Sequence, residues 1–209
     1  MSDVIPIVLG FVLTTVVGGA WAARLQARSW DRQNDLRLKE DEQQRAATAC
    51  EEVSRLLDKR LYRMRRLFWA IANFEQSPAA INQLDTRLDD YNEVLYEWND
   101  RLNMNLALVG SHFGLAARQH LYSLYEDFRR VGSQLEMALR RARQGSDVSP
   151  ELDAIDPEFE GWLPGSLNSR VYLLGLAMMS QLREGLVGRR SPDKLAVPSL
   201  GAVDHQQPA

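Results

Sequence analysis

Apolar residues form two arrangements along the chain. From Val4 to Ala23 they make one uncharged run of twenty residues, and from Cys50 onward they recur at a spacing of three and four residues. Between the two lies a segment without an apolar stripe. Because a helix brings positions three and four apart onto one face, the later pattern predicts amphipathic helices that pack together.

The uncharged run has the properties of a transmembrane helix. Twenty helical residues extend about 30 Å, which is the thickness of the hydrocarbon core of a bilayer. Ten of them are Val, Ile, Leu or Phe, and together these contribute roughly −3 to −6 kcal/mol to insertion. We therefore predict a single-pass anchor over residues 1–23. A cleaved signal peptide is the alternative, because Ala20-Trp21-Ala22 fits a cleavage site, but residues 1–3 carry no basic side chain.

Charges on the two sides of the run predict its orientation. Asp3 is the one charged residue before it, whereas four arginines follow it by residue 37. The positive-inside rule then places the N-terminus outside and the C-terminal domain in the cytoplasm, at the plasma (inner) membrane. Trp21 and Trp30 are expected near that surface. Basic side chains beside the bilayer are expected to contact anionic lipid, each contributing about 1 kcal/mol. The lipid-contact residues are Arg24, Arg28 and Arg32.

Small residues recur at every fourth position of the predicted anchor, at Gly10, Thr14, Gly18 and Ala22. Such spacing allows two transmembrane helices to approach closely. Residues 24–48 are rich in helix-forming residues but polar almost all round. A helix of this kind is stable when it packs on another body or on a copy of itself. We expect a polar helical stalk, and self-association through the transmembrane and stalk helices.

Three consecutive segments with short turns predict an antiparallel, coiled-coil-like bundle. Ser77-Pro78 has the pattern of an N-cap with a first-turn proline, and Gly110-Ser111 that of a break between the second and third helices. A shorter fourth helix is predicted from about Ser166 to Val187. The predicted core positions are Cys50, Val53, Leu57, Arg60, Met64, Leu67, Ile71 and Phe74 in helix one; Ile81, Leu84, Leu88, Tyr91, Leu95, Trp98, Leu102, Asn105 and Val109 in helix two; Gly114, Ala117, Leu121, Leu124, Phe128, Val131, Leu135, Ala138 and Ala142 in helix three; and Leu167, Val171, Leu174, Met178 and Leu182 in helix four.

The predicted fold class is therefore all-α: an N-terminal transmembrane helix continues into a long stalk helix, followed by a bundle of three long helices and one shorter one. The bundle covers residues 49–188 and includes an acidic connection, residues 146–160, in which two Xaa-Pro pairs predict helix starts. Residues 189–209 have three prolines and no periodicity, so we expect disorder there. In a hairpin that turns at Ser77, residue numbers summing to about 154 lie opposite one another.

Composition argues against several functions. A net charge of −3 is unlike that of a dedicated nucleic-acid-binding domain, so no nucleic-acid partner is expected. Cys50 is the one cysteine, which precludes an internal disulfide or a Cys-rich zinc site. Phosphate-binding, zinc-protease and nucleophile-elbow motifs are absent, and neither His112 nor His120 follows a glutamate by three residues, as a di-iron bundle requires. We expect no enzyme activity, metal or cofactor.

Arg60 is the main candidate ligand residue, because it lies on the predicted apolar stripe between Leu57 and Met64. In one interpretation its stem packs inside while the guanidinium reaches solvent or meets Glu93 or Glu97. In the other it forms a buried arginine–carboxylate pair that fixes register, or the floor of a site for an anionic ligand.

Asn105 and His120 are the remaining polar candidates on the stripes. An asparagine at such a position is typical of a residue that specifies register or oligomeric state. Alternatively, Asn99, Asn103 and Asn105 line a polar pocket beside Trp98. His120 is interpreted as a half-buried bundle residue, with pH sensing as the alternative because imidazole titrates near neutrality.

These patterns predict a non-catalytic scaffold or adaptor that holds protein partners, of unknown identity, at the cytoplasmic face of the bilayer. Its candidate docking segments are the acidic connection and the tail from Arg189. The alternative is a membrane-tethered sensor that binds a small ligand in the bundle. A filled interior favours the scaffold, whereas a pocket lined by Arg60, Tyr91, Glu97 or Asn105 favours the sensor.

Overall fold

The architecture is that of a computed structural model. It describes residues 4–75, 77–161 and 163–188, with the side chains of all of these except 4–20, 22, 23 and 27. All regular structure in these ranges is helical, which confirms the predicted all-α class. The elements are α1 (Val4–Ala72), α2 (Pro78–Arg143), α3 (Ser149–Ile155), a 3-10 turn (Asp156–Phe159) and α4 (Leu167–Glu184).

No helix among the described residues is long and apolar enough to cross a membrane. Most side chains of the predicted anchor lie outside the described part, as does the predicted disordered tail, residues 189–209. The transmembrane helix finds no support in this result and stays a prediction. The same holds for its pairing face, whose side chains also lie outside the described part: Gly10, Thr14, Gly18 and Ala22.

α1 is a single uninterrupted helix, so the predicted stalk and the first bundle helix belong to one element. No proline or glycine occurs between Arg24 and Ala72, and strong helix formers dominate this stretch. The chain divides into two compact units, Met1–Gln44 and Arg45–Ala209. In the first unit the described side chains are exposed almost throughout, as the polar pattern predicts.

The turn between α1 and α2 is capped as predicted. The hydroxyl of Ser77 accepts a hydrogen bond from the backbone N–H of Ala80 at 3.2 Å, and Pro78 occupies the first turn. Ion pairs across this hairpin join residues whose numbers sum to between 152 and 156, which confirms the predicted antiparallel register. These pairs are Arg55–Glu97, Lys59–Glu93, Lys59–Glu97, Arg63–Asp90 and Arg101–Glu52.

α2 reverses direction at Gly114, where φ is 89° and ψ is 174°. Only glycine adopts this backbone region readily. Residues 78–113 and 115–143 thus form a second hairpin, in which Arg143 pairs with Asp85. The break predicted at Gly110-Ser111 is wrong by four residues. Gly110 stays helical, and the hydroxyl of Ser111 donates back to the carbonyl of Leu108 at 3.0 Å instead of capping a new helix.

The acidic connection is folded, and its helical segments begin at the two predicted Xaa-Pro positions. Leu152, Ile155 and Phe159 are buried in the core, and the Phe159 ring centroid lies 5.3 Å from that of Phe68. α4 follows close to its predicted bounds. Its N-cap is Ser166, its C-cap is Gly185, and all of its predicted stripe residues are buried.

One core joins α1, both limbs of α2, α3 and α4, and most predicted core positions lie in it. Ile81 is the clear exception, because it is exposed in the first turn of α2. The hairpin register places it beyond Ala72, where α1 has already ended. Five further predicted positions are only partly buried: Phe74, Leu88, Leu95, Leu102 and Ala117.

The reversal at Gly114 gives a test with a matched control. We expect Gly114→Ala to lower the free energy of unfolding by about 1–3 kcal/mol, because an L side chain is strained in that backbone region. Gly110→Ala lies in helical backbone and faces the flexible Arg118 side chain at 3.1 Å, so we expect a neutral effect or up to about 1 kcal/mol of stabilisation. Denaturant unfolding followed by circular dichroism measures both, and equal effects would contradict a turn at Gly114.

Candidate functional site

Arg60 lies in the middle of the bundle and is only 1% exposed. Its guanidinium carbon is 4.6 Å from the ring centroid of Phe128 and 5.8 Å from that of Trp98. The Tyr91 hydroxyl lies close enough to the guanidinium to oppose part of the lowering of the Arg60 pKa. Gly132 leaves room for that hydroxyl, since a Cβ there would lie 2.7 Å from it. Side chains from α1 and both limbs of α2 therefore enclose one cation, and we call these residues the Arg60 layer.

The predicted partners of Arg60 are wrong. Glu97 and Glu93 lie at the surface, where the ammonium of Lys59 is 2.7 Å and 3.8 Å from their respective carboxylates. On a helix, residue 59 points about 100° away from residue 60, so Lys59 faces the glutamates and Arg60 faces the core. In the described structure the guanidinium neither reaches solvent nor meets a carboxylate. The ring faces of Phe128 and Trp98 contact the guanidinium in place of a carboxylate.

Electrostatics in the Arg60 layer follow from burial. Burial lowers the pKa of Arg60 and raises the pKa of Tyr91, and the Arg60 charge partly opposes the latter shift. Nε and Nη1 of Arg60 have no hydrogen-bond acceptor, and neither does Nε1 of Trp98. Because unsatisfied buried donors are costly, the cation–π contacts and the Tyr91 hydroxyl carry the stabilisation of the ion.

Asn105 and His120 occupy different environments. Asn105 is buried with no acceptor for Nδ2, whereas Asn99 and Asn103 are exposed, so the three residues do not share a pocket. His120 is half-buried, as expected from its position. Burial, and then the positive charge of Arg170, lowers the pKa of His120.

Two of the six carboxylates of the acidic connection pair with arginines of the bundle. Glu151 pairs with Arg141, and Glu158 pairs with Arg130 at 2.6 Å. Glu158 also accepts the backbone N–H of Leu167 at 3.0 Å, and so satisfies a donor in the first turn of α4. This segment is therefore folded against the core through its apolar side chains, and Asp153 and Asp156 remain exposed on it.

Within the first unit, the predicted lipid-contact residues share one face of α1. Trp21, Arg24, Leu25 and Arg28 line a shallow cavity of about 180 Å³, and Arg32 is exposed one turn further along. Their spacing of three and four residues explains this alignment. Basic and aromatic side chains on one helix face are the combination found at membrane surfaces.

A second surface feature lies at the α1–α2 turn and was not expected from the sequence. A pocket of about 240 Å³ is lined there by Arg66, Trp69, Asn73 and Arg87, among others, and has no acidic lining residue. Trp69 is 54% exposed beside it, and the Arg66 guanidinium lies 5.5 Å from the ring of Tyr62. The sequence signal that could have indicated this surface is the presence of two aromatic residues, Tyr62 and Trp69, outside the apolar stripe of helix one. We call Tyr62, Arg66, Trp69, Asn73 and Arg87 the aromatic–arginine surface.

Comparisons with protein-family models, curated proteins and solved structures found no match for this chain. The function is therefore inferred from the geometry of its own residues. In the part of the chain that the structure describes, no group of three or more His, Cys, Asp or Glu side chains could hold a metal ion.

The Arg60 layer predicts a coupling between two substitutions. We expect Tyr91→Phe to lower the free energy of unfolding by about 1–3 kcal/mol, because the buried guanidinium loses the hydroxyl that interacts with it. Arg60→Met is expected to be neutral or stabilising by about 1–4 kcal/mol, since a packed apolar group replaces a buried charge. In the Arg60→Met background, Tyr91→Phe is then expected to have little effect. A double-mutant cycle by chemical denaturation measures this coupling, and an equal cost of Tyr91→Phe in both backgrounds would refute it.

His120 predicts a pH dependence. Because its pKa is lower in the folded protein than in the unfolded chain, the unfolded chain binds the proton first as pH falls. Stability is therefore expected to decrease as pH falls below about 6.5, the ordinary histidine value. Unfolding measured between about pH 7 and pH 5 is expected to show a smaller decrease for His120→Gln than for the wild type. The same slope in both proteins would be evidence against this contribution.

Proposed function

We propose that this protein is a membrane-anchored scaffold or adaptor without catalytic activity, and that it holds a partner protein at the cytoplasmic membrane face through the aromatic–arginine surface. One observation carries the proposal: Trp69 and Tyr62, 54% and 50% exposed, flank Arg66 beside a pocket. Tryptophan, tyrosine and arginine are the residues in which the binding energy of protein interfaces is concentrated.

Charge on this surface indicates the chemistry of the partner. Arg63 and Arg87 share the carboxylate of Asp90, at 2.5 Å and 3.2 Å, and Arg66 has no carboxylate partner in the described structure. Of these three guanidinium groups, two share one carboxylate and the third has none in the described structure. A partner segment with acidic residues and one apolar anchor is complementary to this excess of positive charge.

The interior of the bundle supports a scaffold over a small-ligand sensor. A sensor of the kind considered above requires a pocket at the polar stripe residues. Phe128 and Trp98 instead pack against Arg60, and the two bundle pockets of about 240 Å³ and 370 Å³ are lined by other residues. The exposed surface is therefore a better candidate for the functional site than an internal ligand pocket.

The amino-acid sequence is what supports the membrane attachment in this proposal. The uncharged run Val4–Ala23 is long enough to span a bilayer, and Trp21, Arg24 and Arg28 lie together on the helix face that follows it. An anchor with its C-terminal side in the cytoplasm brings this face to the anionic leaflet.

Crosslinking in native membranes, followed by affinity purification of the full-length protein in detergent, tests the adaptor function. We expect Trp69→Ala and Arg66→Glu each to reduce recovery of the bound partner about tenfold or more, because loss of an interface hot spot costs at least about 2 kcal/mol. Tyr96→Ala, a similarly exposed aromatic residue on α2, is the matched control and is expected to retain the partner.

Two outcomes would contradict the proposal. The first is that wild-type protein yields no partner at all. The second is that the partner is recovered equally with Arg66→Glu and with Tyr96→Ala. A variant without residues 189–209 separates a contribution of the tail from that of the aromatic–arginine surface.

A further inference from the structure

α4 carries large apolar side chains on both of its faces. Its inner stripe is buried in the core, while its outer side exposes Tyr172, Leu173, Leu176 and Met179, with Tyr172 67% and Met179 58% exposed. No charged residue occurs between Arg170 and Arg183. Since a bundle helix that faces water normally has polar residues on its outer side, this face has the composition of an interface.

The outer face of α4 continues into a groove against α1. The groove encloses about 370 Å³, and its apolar wall includes Leu57, Val171, Tyr172 and Leu176. Asp58 is the one charged residue of its lining. Burial raises the pKa of this carboxyl, and no ion pair in the described structure offsets that effect.

Arg183 supplies the complementary charge on the same surface. It lies in the last turn of α4, is exposed, and has no carboxylate partner in the described part of the chain. Within one protomer Arg183 lies near the C-terminal end of α4, whereas the groove places Asp58 beside Asn168 and Tyr172 near the N-terminal end. The two charges therefore belong to opposite ends of one apolar face.

We propose that a second copy of this chain occupies the groove, with the two α4 helices antiparallel across a two-fold axis near Leu176 and with Asp58 of each protomer paired to the partner subunit's Arg183. In this arrangement residues equally distant from Leu176 lie opposite one another. Arg183 is seven residues after Leu176, so it lies opposite Ser169 of the partner subunit, which is seven residues before Leu176. Ser169 is adjacent in sequence to Asn168, which lines the groove together with Asp58.

Self-complementarity is the reason to prefer a second copy over an unrelated helix. An isologous interface uses the same patch twice, so a patch with one acidic and one basic group at opposite ends forms two equivalent ion pairs. An unrelated partner would have to provide its own basic residue for Asp58 and its own acidic residue for Arg183. This interface is separate from the aromatic–arginine surface and does not depend on the adaptor function.

Disulfide crosslinking of the full-length protein in detergent solution, where a bilayer does not hold neighbouring copies in one orientation, tests the dimer. In a Cys50→Ser background, Leu176→Cys places a thiol at the two-fold axis and is expected to give a disulfide-linked dimer upon mild oxidation. Met137→Cys, on an exposed position of α2, is the matched control. Its dimer yield is expected to be at least about tenfold lower.

Charge reversal tests the predicted pairing. In the Leu176→Cys protein, Asp58→Arg alone and Arg183→Asp alone are each expected to lower the dimer yield about tenfold. The double reversal is expected to restore it, because it recreates the ion pair with its charges exchanged. Failure of the double reversal to restore the yield would overturn the proposed arrangement.

Other outcomes would also overturn the second-copy proposal. One is a Leu176→Cys yield no higher than that of Met137→Cys. Another is that the Leu176→Cys protein forms no disulfide while Leu176→Asp, in a separate experiment, abolishes capture of a different protein, which would assign the groove to that protein. The crosslinking test requires only this chain, whereas the adaptor test measures whether Trp69→Ala reduces recovery of a partner protein. A failure of the dimer proposal is therefore distinguishable from a failure of the adaptor proposal.

Discussion

Neutralising a cation in the centre of the bundle is the constraint on which the rest of this structure depends. Arg60 cannot reach water, and no carboxylate lies within its reach, so its charge is accommodated by two aromatic faces and one hydroxyl. These groups come from both limbs of α2, and therefore the layer forms only when α1 and the two limbs are packed in one register. Gly132 is part of the same constraint, since any larger residue would displace the Tyr91 hydroxyl.

Charged pairs at the surface act in parallel with this buried layer. Lys59 occupies both glutamates that the sequence offered to Arg60, and the remaining pairs between α1 and α2 repeat the same register. Exposed pairs of this kind contribute only about 0–1 kcal/mol each. Their main effect is to disfavour shifted pairings, whereas packing of the apolar core supplies most of the stability.

Much of the bundle could be predicted from the sequence, because helical period, caps and proline positions are local signals. Ser77, Ser166 and the two Xaa-Pro starts of the acidic connection behave as their sequence patterns indicate. The turn at Gly114 was missed because Gly110 and Gly114 both resemble breakers, and only the packing of the two limbs decides between them. The environment of Arg60 was missed for a similar reason: periodicity assigns a residue to the core but does not identify which side chains from other helices meet it there.

The chain reversal at Gly114 also bears on how the bundle forms. It is made within one residue rather than by a loop, and only the five residues 73–77 connect α1 to α2. Loop-closure entropy is therefore small for both hairpins, and each long helix packs against its neighbour in sequence. Contacts between helices that are neighbours in sequence favour fast folding. A newly synthesised chain would thus expose the apolar stripe of each helix only briefly before the next segment covered it.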